Sequence, residues 1–284
     1  MDFAHILALI RIILFGSTVL ISFVYSIPIL FVRRFHNRVN ILTLNICLAS
    51  LICSIYFTVY FIMFDYYIQY LFTEQTCLFI LFIQSFVSCG IPWSIVTLSI
   101  SRFCTVIYHT KAFFKTKIFM ALCFACQWTA GCLMSLPFQL YTKPYCDMPR
   151  WLTIYTIIIL IIIPGLITLV INLCIFKHVH SSSGRVQPKD NLSTVTIIIN
   201  QKRKLNRRDL SLLRHTIIMF SMFVIGWTPI YVLTAIDYSG TVPPFIYTIL
   251  QILIDVSLLA SLFDLFSYNH ELRKYVKDKL FPCF

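Results

Sequence analysis

The chain has 284 residues, 59% hydrophobic and 12% charged, with a mean hydropathy of +0.84. Soluble globular domains run at roughly 45–50% apolar and about 25% charged, so an ordinary soluble domain is excluded. The net charge of +12 would suit an anionic partner, but its placement along the chain favours a membrane surface over nucleic acid.

Reading from charge to charge divides the chain into seven apolar segments, each long enough for the roughly 20 residues a spanning helix needs. The predicted spans are about 7–32, 39–64, 75–108, 117–142, 151–179, 209–237 and 243–268. The first carries Arg11 in its early turns and serves as its own insertion signal, because no cleavage pattern follows Asp2. The third has no charge from Gln75 to Ser101; Arg102 then appears at its edge, and Pro92 lies inside it. The fourth holds Trp128 and the fifth Pro164. Residues from about 180 to 208 form the long polar segment, read as a flexible loop leading into a helix. Its Asn191-Leu192-Ser193 acceptor pattern is read as a chance match. Asp209 opens the sixth span, and the seventh contains Asp255 and Asp264. None of the runs alternates as an outer-membrane barrel strand does, so helices are implied. The fold class is an all-α, seven-transmembrane helix bundle forming one domain.

Past Tyr268, residues 269–281 place Leu272, Val276, Leu280 and Phe281 on one helical face, with basic residues elsewhere. This reads as a short amphipathic helix on the inner leaflet, next to Cys283 as a palmitoylation candidate. The eleven cysteines lack metal-site spacing and read mostly as small buried hydrophobes, so no metal or cofactor is expected.

The connections have a consistent sidedness. Arg33, Arg34 and Arg38, then Lys111, Lys115 and Lys117, then the basic run Lys202-Arg203-Lys204, then Arg273, Lys274, Lys277 and Lys279 all fall on one face. The other carries Asp2, Asp65, Glu74, Asp147 and Asp237, with few cations. The positive-inside rule therefore predicts an extracellular N-terminus and a cytoplasmic C-terminus.

With these residues in place, the chain resembles the rhodopsin-like G-protein-coupled receptors over nearly its whole length. Cys77 precedes Arg102 by the length of one membrane helix, Cys146 lies in the next outer loop, and Phe223-Val224-Ile225-Gly226-Trp227-Thr228-Pro229 looks like the family's Phe-x-x-x-Trp-x-Pro. Asp264-Leu265-Phe266-Ser267-Tyr268 looks like a degenerate Asn-Pro-x-x-Tyr, and Ser101-Arg102-Phe103 stands where the family has Asp-Arg-Tyr. Ser50 occupies the place of the second-span acid, and the first span lacks a clear asparagine. These departures resemble a divergent invertebrate, rotifer-type, branch.

The resemblance implies a plasma-membrane receptor, not an enzyme, that couples an extracellular ligand to a heterotrimeric G protein. It implies a Cys77–Cys146 disulfide, which an oxidising outer face would allow. It also implies an Arg102–Asp209 contact in the inactive state, and a switch in the sixth span built from Phe223, Trp227 and Pro229, where the proline kinks the helix. Asp264 and Tyr268 join the switch, with Ser50 or Asn45 as expected partners of Asp264. Gln84, Trp93, Tyr231 and Tyr247 are the candidate ligand-pocket residues. Gln84 stands where amine receptors carry an acid, and the seventh span has no lysine, so amines and retinal are disfavoured and a peptide is weakly favoured. The rival readings are a small transporter or channel using Asp255 and Asp264 as ion ligands, or a receptor-like protein that no longer signals. The paired repeats and broken helices of a transporter are not evident.

Overall fold

A computed structural model describes residues 3–67, 73–108, 111–141, 148–183, 194–237 and 240–280. Among them are seven helices long and apolar enough to cross a membrane. They are α1 (Phe3–Phe31), α2 (Arg38–Tyr66), α3 (Glu74–Ile107), α4 (Lys117–Tyr141), α5 (Arg150–Ile157 continuing through Ile163–Ser183), α6 (Thr194–Ile236) and α7 (Pro244–Tyr268). A short α8 (His270–Leu280) follows.

Local chemistry explains several of the ends. The Asn37 side chain accepts a hydrogen bond from the Asn40 N–H and caps α2. Pro244 starts α7, where its missing N–H costs nothing. In α5, Ile158–Ile162 form a π turn, and the Trp93 indole N–H of α3 donates to the Ile159 carbonyl there at 3.2 Å. A π turn loosens the ordinary backbone ladder, so a side chain from a neighbouring helix can reach a carbonyl.

The predicted polar loop is shorter than the sequence suggests. Helix α5 runs on to Ser183 and α6 begins at Thr194, so the helices extend past the apolar spans. The Gln201-Lys202-Arg203-Lys204-Leu205 run consists of good helix formers, and Arg214–Ile236 of α6 is long and apolar enough to cross a membrane. The acceptor pattern at Asn191 lies outside the described residues.

The neighbours run α1, α2, α3, α5, α6, α7 and back to α1, with α4 outside α3. α3 is the most buried of the spans. Large apolar side chains such as Leu20, Phe31, Leu133 and Ile225 face outward, as a lipid-facing surface requires. Two clusters fill the interior. One lies toward the face carrying the N-terminus and holds Phe15, Phe57, Phe61, Phe223 and Trp227. The other lies toward the opposite face and holds Tyr25, Ile46, Leu98, Met219, Leu262 and Leu265.

Leu272 and Val276 of α8 join the second cluster, and the Tyr275 ring meets Phe35 edge-on at 5.3 Å. Leu272 and Val276 of the apolar stripe expected to lie on lipid are therefore buried against the bundle, while Arg273, Lys274, Lys277 and Lys279 stay exposed. Asn269 fixes the turn before it: its side-chain amide donates to the Tyr25 hydroxyl and to Asn40 Oδ1, and its Oδ1 accepts from the Leu272 N–H. Phe281 and Cys283 lie outside the described residues.

Candidate functional site

A cavity of about 450 Å³ opens among α1, α2, α3, α5, α6 and α7 at the end nearer the N-terminus. Phe15, Phe57, Trp227 and Tyr231 supply its aromatic wall, and Gln84, Gln251 and Asp255 its polar groups. Its size lies in the range of small-ligand sites, roughly 300–1,000 Å³.

The cation among its described lining residues is Arg11. It is 7% exposed and Asp255 is 1% exposed. Arg11 Nε approaches Asp255 Oδ2 at 3.4 Å, Nη1 donates to Gln251 Oε1 at 2.6 Å, and the guanidinium lies 3.3 Å from the centre of the Phe61 ring. Gln251 and Asp255 are one helical turn apart and so present to the same side. Removing a charge this deep from water is costly unless it is paired, and the carboxylate, the amide and the ring face together meet that cost. Arg11 thus ties α1 to α7. In the sequence it stands only as a charge in the early turns of the first span. The signal was present, an arginine and an aspartate in two apolar spans, but nothing in either span announced the other.

At the mouth, Asp237 follows α6. Its carboxylate accepts from the N–H groups of Thr241 and Val242, the Thr241 hydroxyl and the Tyr247 hydroxyl. Partial burial pushes its pKa up, but these hydrogen bonds to the charged form outweigh it and hold the group below the ordinary carboxylate value.

Below the cavity, Trp227 stacks on Phe223 at 5.3 Å between ring centres, one turn further along α6, and Phe57 meets Trp227 at 6.4 Å. Phe220, beside Phe223 and next to Met219 in the chain, packs against both clusters. Beyond it the Arg102 guanidinium donates to the Thr216 hydroxyl, joining α3 to α6. Beside this contact, His215 Nε2 lies 3.0 Å from Asp264 Oδ2, and the His215 ring lies 4.4 Å from the Tyr268 ring. Asp264 therefore faces α6. The expected contact with Asn45 does not form, because Asn45 is engaged elsewhere: its amide donates to Gln127 at 2.7 Å and its oxygen accepts from the Trp128 indole at 3.2 Å.

Gln84, Tyr231 and Tyr247 are in the cavity wall. Trp93 is not; it is turned toward Ile159 and packs with Cys89, Leu160 and Met134. Pro229 lies within unbroken helix, two residues from both Trp227 and Tyr231. Cys77 is buried and disulfide-bonded, while Cys146 lies outside the described residues. The Asp209 side chain lies outside them as well. Thr216 and His215 were missed by sequence reading, since neither stands out in an apolar helix.

No curated protein matches the chain at significant similarity. The family model of the 7 transmembrane receptor (rhodopsin family) matches it over residues 22–264. A match reaching from the first span to the acid of the seventh takes in both the aromatic column and the Arg102 contact, and the chain belongs to the rhodopsin family of seven-transmembrane receptors.

Proposed function

We propose that this receptor sits in the plasma membrane with its N-terminus outside, binds a small extracellular ligand in the cavity, and activates a heterotrimeric G protein at the opposite face. The observation that carries this reading is the unbroken path in α6. Trp227 forms cavity wall, Phe223 stacks beneath it, and Thr216 further along the same helix holds Arg102. A ligand that moves Trp227 acts on a helix weakened by Pro229, and Thr216, about three turns from Trp227 on that helix, carries the contact with α3. Ligand binding then works by shifting the population between a closed and an open bundle. The basic connections on the second face support both the orientation and a G-protein dock.

In this reading Cys146 is the partner of Cys77, tying the α4–α5 connection over α3. Asp209 adds an acid near Arg102 at the base of α6. Asp209→Ala is expected to raise basal signalling at equal surface expression. The test of the whole reading is a screen of second-messenger output in cells expressing the receptor, with Arg102→Ala as control. Ligand-driven output that Arg102→Ala abolishes is the expected result; output that survives intact in the control would show that Arg102 plays no part.

A further inference from the structure

Two neighbouring residues of α6 face two different helices. Thr216 is fully buried and meets Arg102 of α3. His215, 4% exposed, is turned to α7, with Nε2 3.0 Å from Asp264 Oδ2 and its ring 4.4 Å from the Tyr268 ring. Adjacent helical positions lie about 100° apart around the axis, so one turn of α6 is gripped from two sides. We propose, on the receptor reading above, that His215 and Asp264 are positioning residues. Together they form a second restraint that holds the inner end of α6 in the closed bundle, and activation requires them to separate.

One point of attachment fixes a distance and leaves rotation open. The Arg102–Thr216 contact sets how close α6 lies to α3 at this level. The contact on the α7 side sets how α6 is turned. Pro229 lies about four turns along the same helix. An outward swing of the inner end, hinged at Pro229, breaks both contacts in one movement.

The pair suits a contact that both holds and releases. Leu262 and Leu265 flank Asp264 on α7 and are buried with Met219 of α6, and a carboxyl without a partner among such side chains is penalised. Asp264 is also one turn from Tyr268, the last residue of α7, and its side chain is 30% exposed. Movement of α6 therefore opens both groups to water, which offsets the lost contact. The Tyr268 ring fixes the plane of the imidazole, and Arg102 faces the pair from α3. Asn45 of α2 does not compete for Asp264, because Gln127 and Trp128 hold its amide.

The test is a double-mutant cycle on the full receptor in lipid nanodiscs, read as basal nucleotide exchange on purified G proteins. His215→Phe keeps a ring against Tyr268 and removes the nitrogen; Asp264→Ala removes the carboxylate. Each is expected to raise the basal rate by about threefold or more, and the double variant to rise no further than the larger single. Asp264→Asn keeps an acceptor and should rise less than Asp264→Ala. An unchanged or lower basal rate in His215→Phe overturns the proposal, as do single effects that multiply in the double variant. A second measurement needs no G protein. It is the distance between spin labels carried by unnatural amino acids at Ile217 of α6 and Lys117 at the start of α4, both exposed. Longer distances should gain population in both single variants. Exchange by the wild type beside unchanged distances in the variants sinks the restraint alone. Longer distances in the variants, with no exchange by any form of the receptor, sink the receptor reading alone.

Discussion

Thr216 is fully buried and meets the Arg102 guanidinium from α6. Thr216→Val keeps the shape and removes the acceptor. A hydrogen bond to a charged group is worth about 1.5–3 kcal/mol, roughly a factor of ten or more in a two-state balance. Basal nucleotide exchange at matched expression is expected to rise by up to about that factor; an unchanged basal rate would mean that Thr216 does not restrain Arg102. The position of Arg102 was legible because a charge at the end of a long apolar run stands out. Thr216 was not, since a threonine has no hydropathy signature and its meaning comes from the helix it faces. The same holds for His215, whose place between Asp264 and Tyr268 depends on how α6 and α7 are rotated.

At the scale of elements, α6 and α7 meet at Gly226. A Cβ added there would overlap the side chain of Ser257, whose hydroxyl donates to the Met222 carbonyl at 2.6 Å. Gly226→Ala is expected to lower stability by about 1–3 kcal/mol, as overpacking does, and adding Ser257→Gly should recover much of it. Thermal unfolding of the two variants in detergent checks this. The α6–α7 connection also has a pH limit. Asp237 has a depressed pKa in the folded chain. Its contribution is therefore fully present above the unfolded carboxylate value and disappears as pH falls through the lower folded value. Amide exchange at Thr241 and Val242 should stay slow through the ordinary carboxylate range and quicken only at more acid pH; acceleration already at the ordinary value would contradict the clamp. Within α5, Trp93→Phe removes the donor to Ile159 and should cost about 0.5–1.5 kcal/mol without altering the cavity wall. Trp93 stands apart from the cavity wall because its indole is turned to the Ile159 carbonyl of α5.

For the molecule as a whole, Arg11 and Asp255 join the first and last spans. Arg11→Gln alone should destabilise by about 3–5 kcal/mol, because it leaves a buried acid without its partner, whereas Arg11→Gln/Asp255→Asn should cost much less. Unfolding of both variants in one detergent makes the comparison. A single variant no worse than the double would mean the pair is not a buried ion pair. At the other end, Asn269 holds α8 against α1 and α2, and burial of Leu272 and Val276 makes that helix part of the bundle.

The sequence by itself determined the seven spans and their family, because an apolar run of spanning length and a charge at its end are local properties that lipid and water read directly. Motif residues spaced along the spans carried the family resemblance for the same reason. Tertiary structure alone decided the partners. Arg11 and Asp255 are 244 positions apart, Arg102 and Thr216 are 114 apart, and each contact depends on the rotation of one helix against another. That rotation is set by side-chain packing over the whole bundle, including the close approach at Gly226. The charges were visible from the start, but that two of them neutralise each other inside the cavity follows only from the packing.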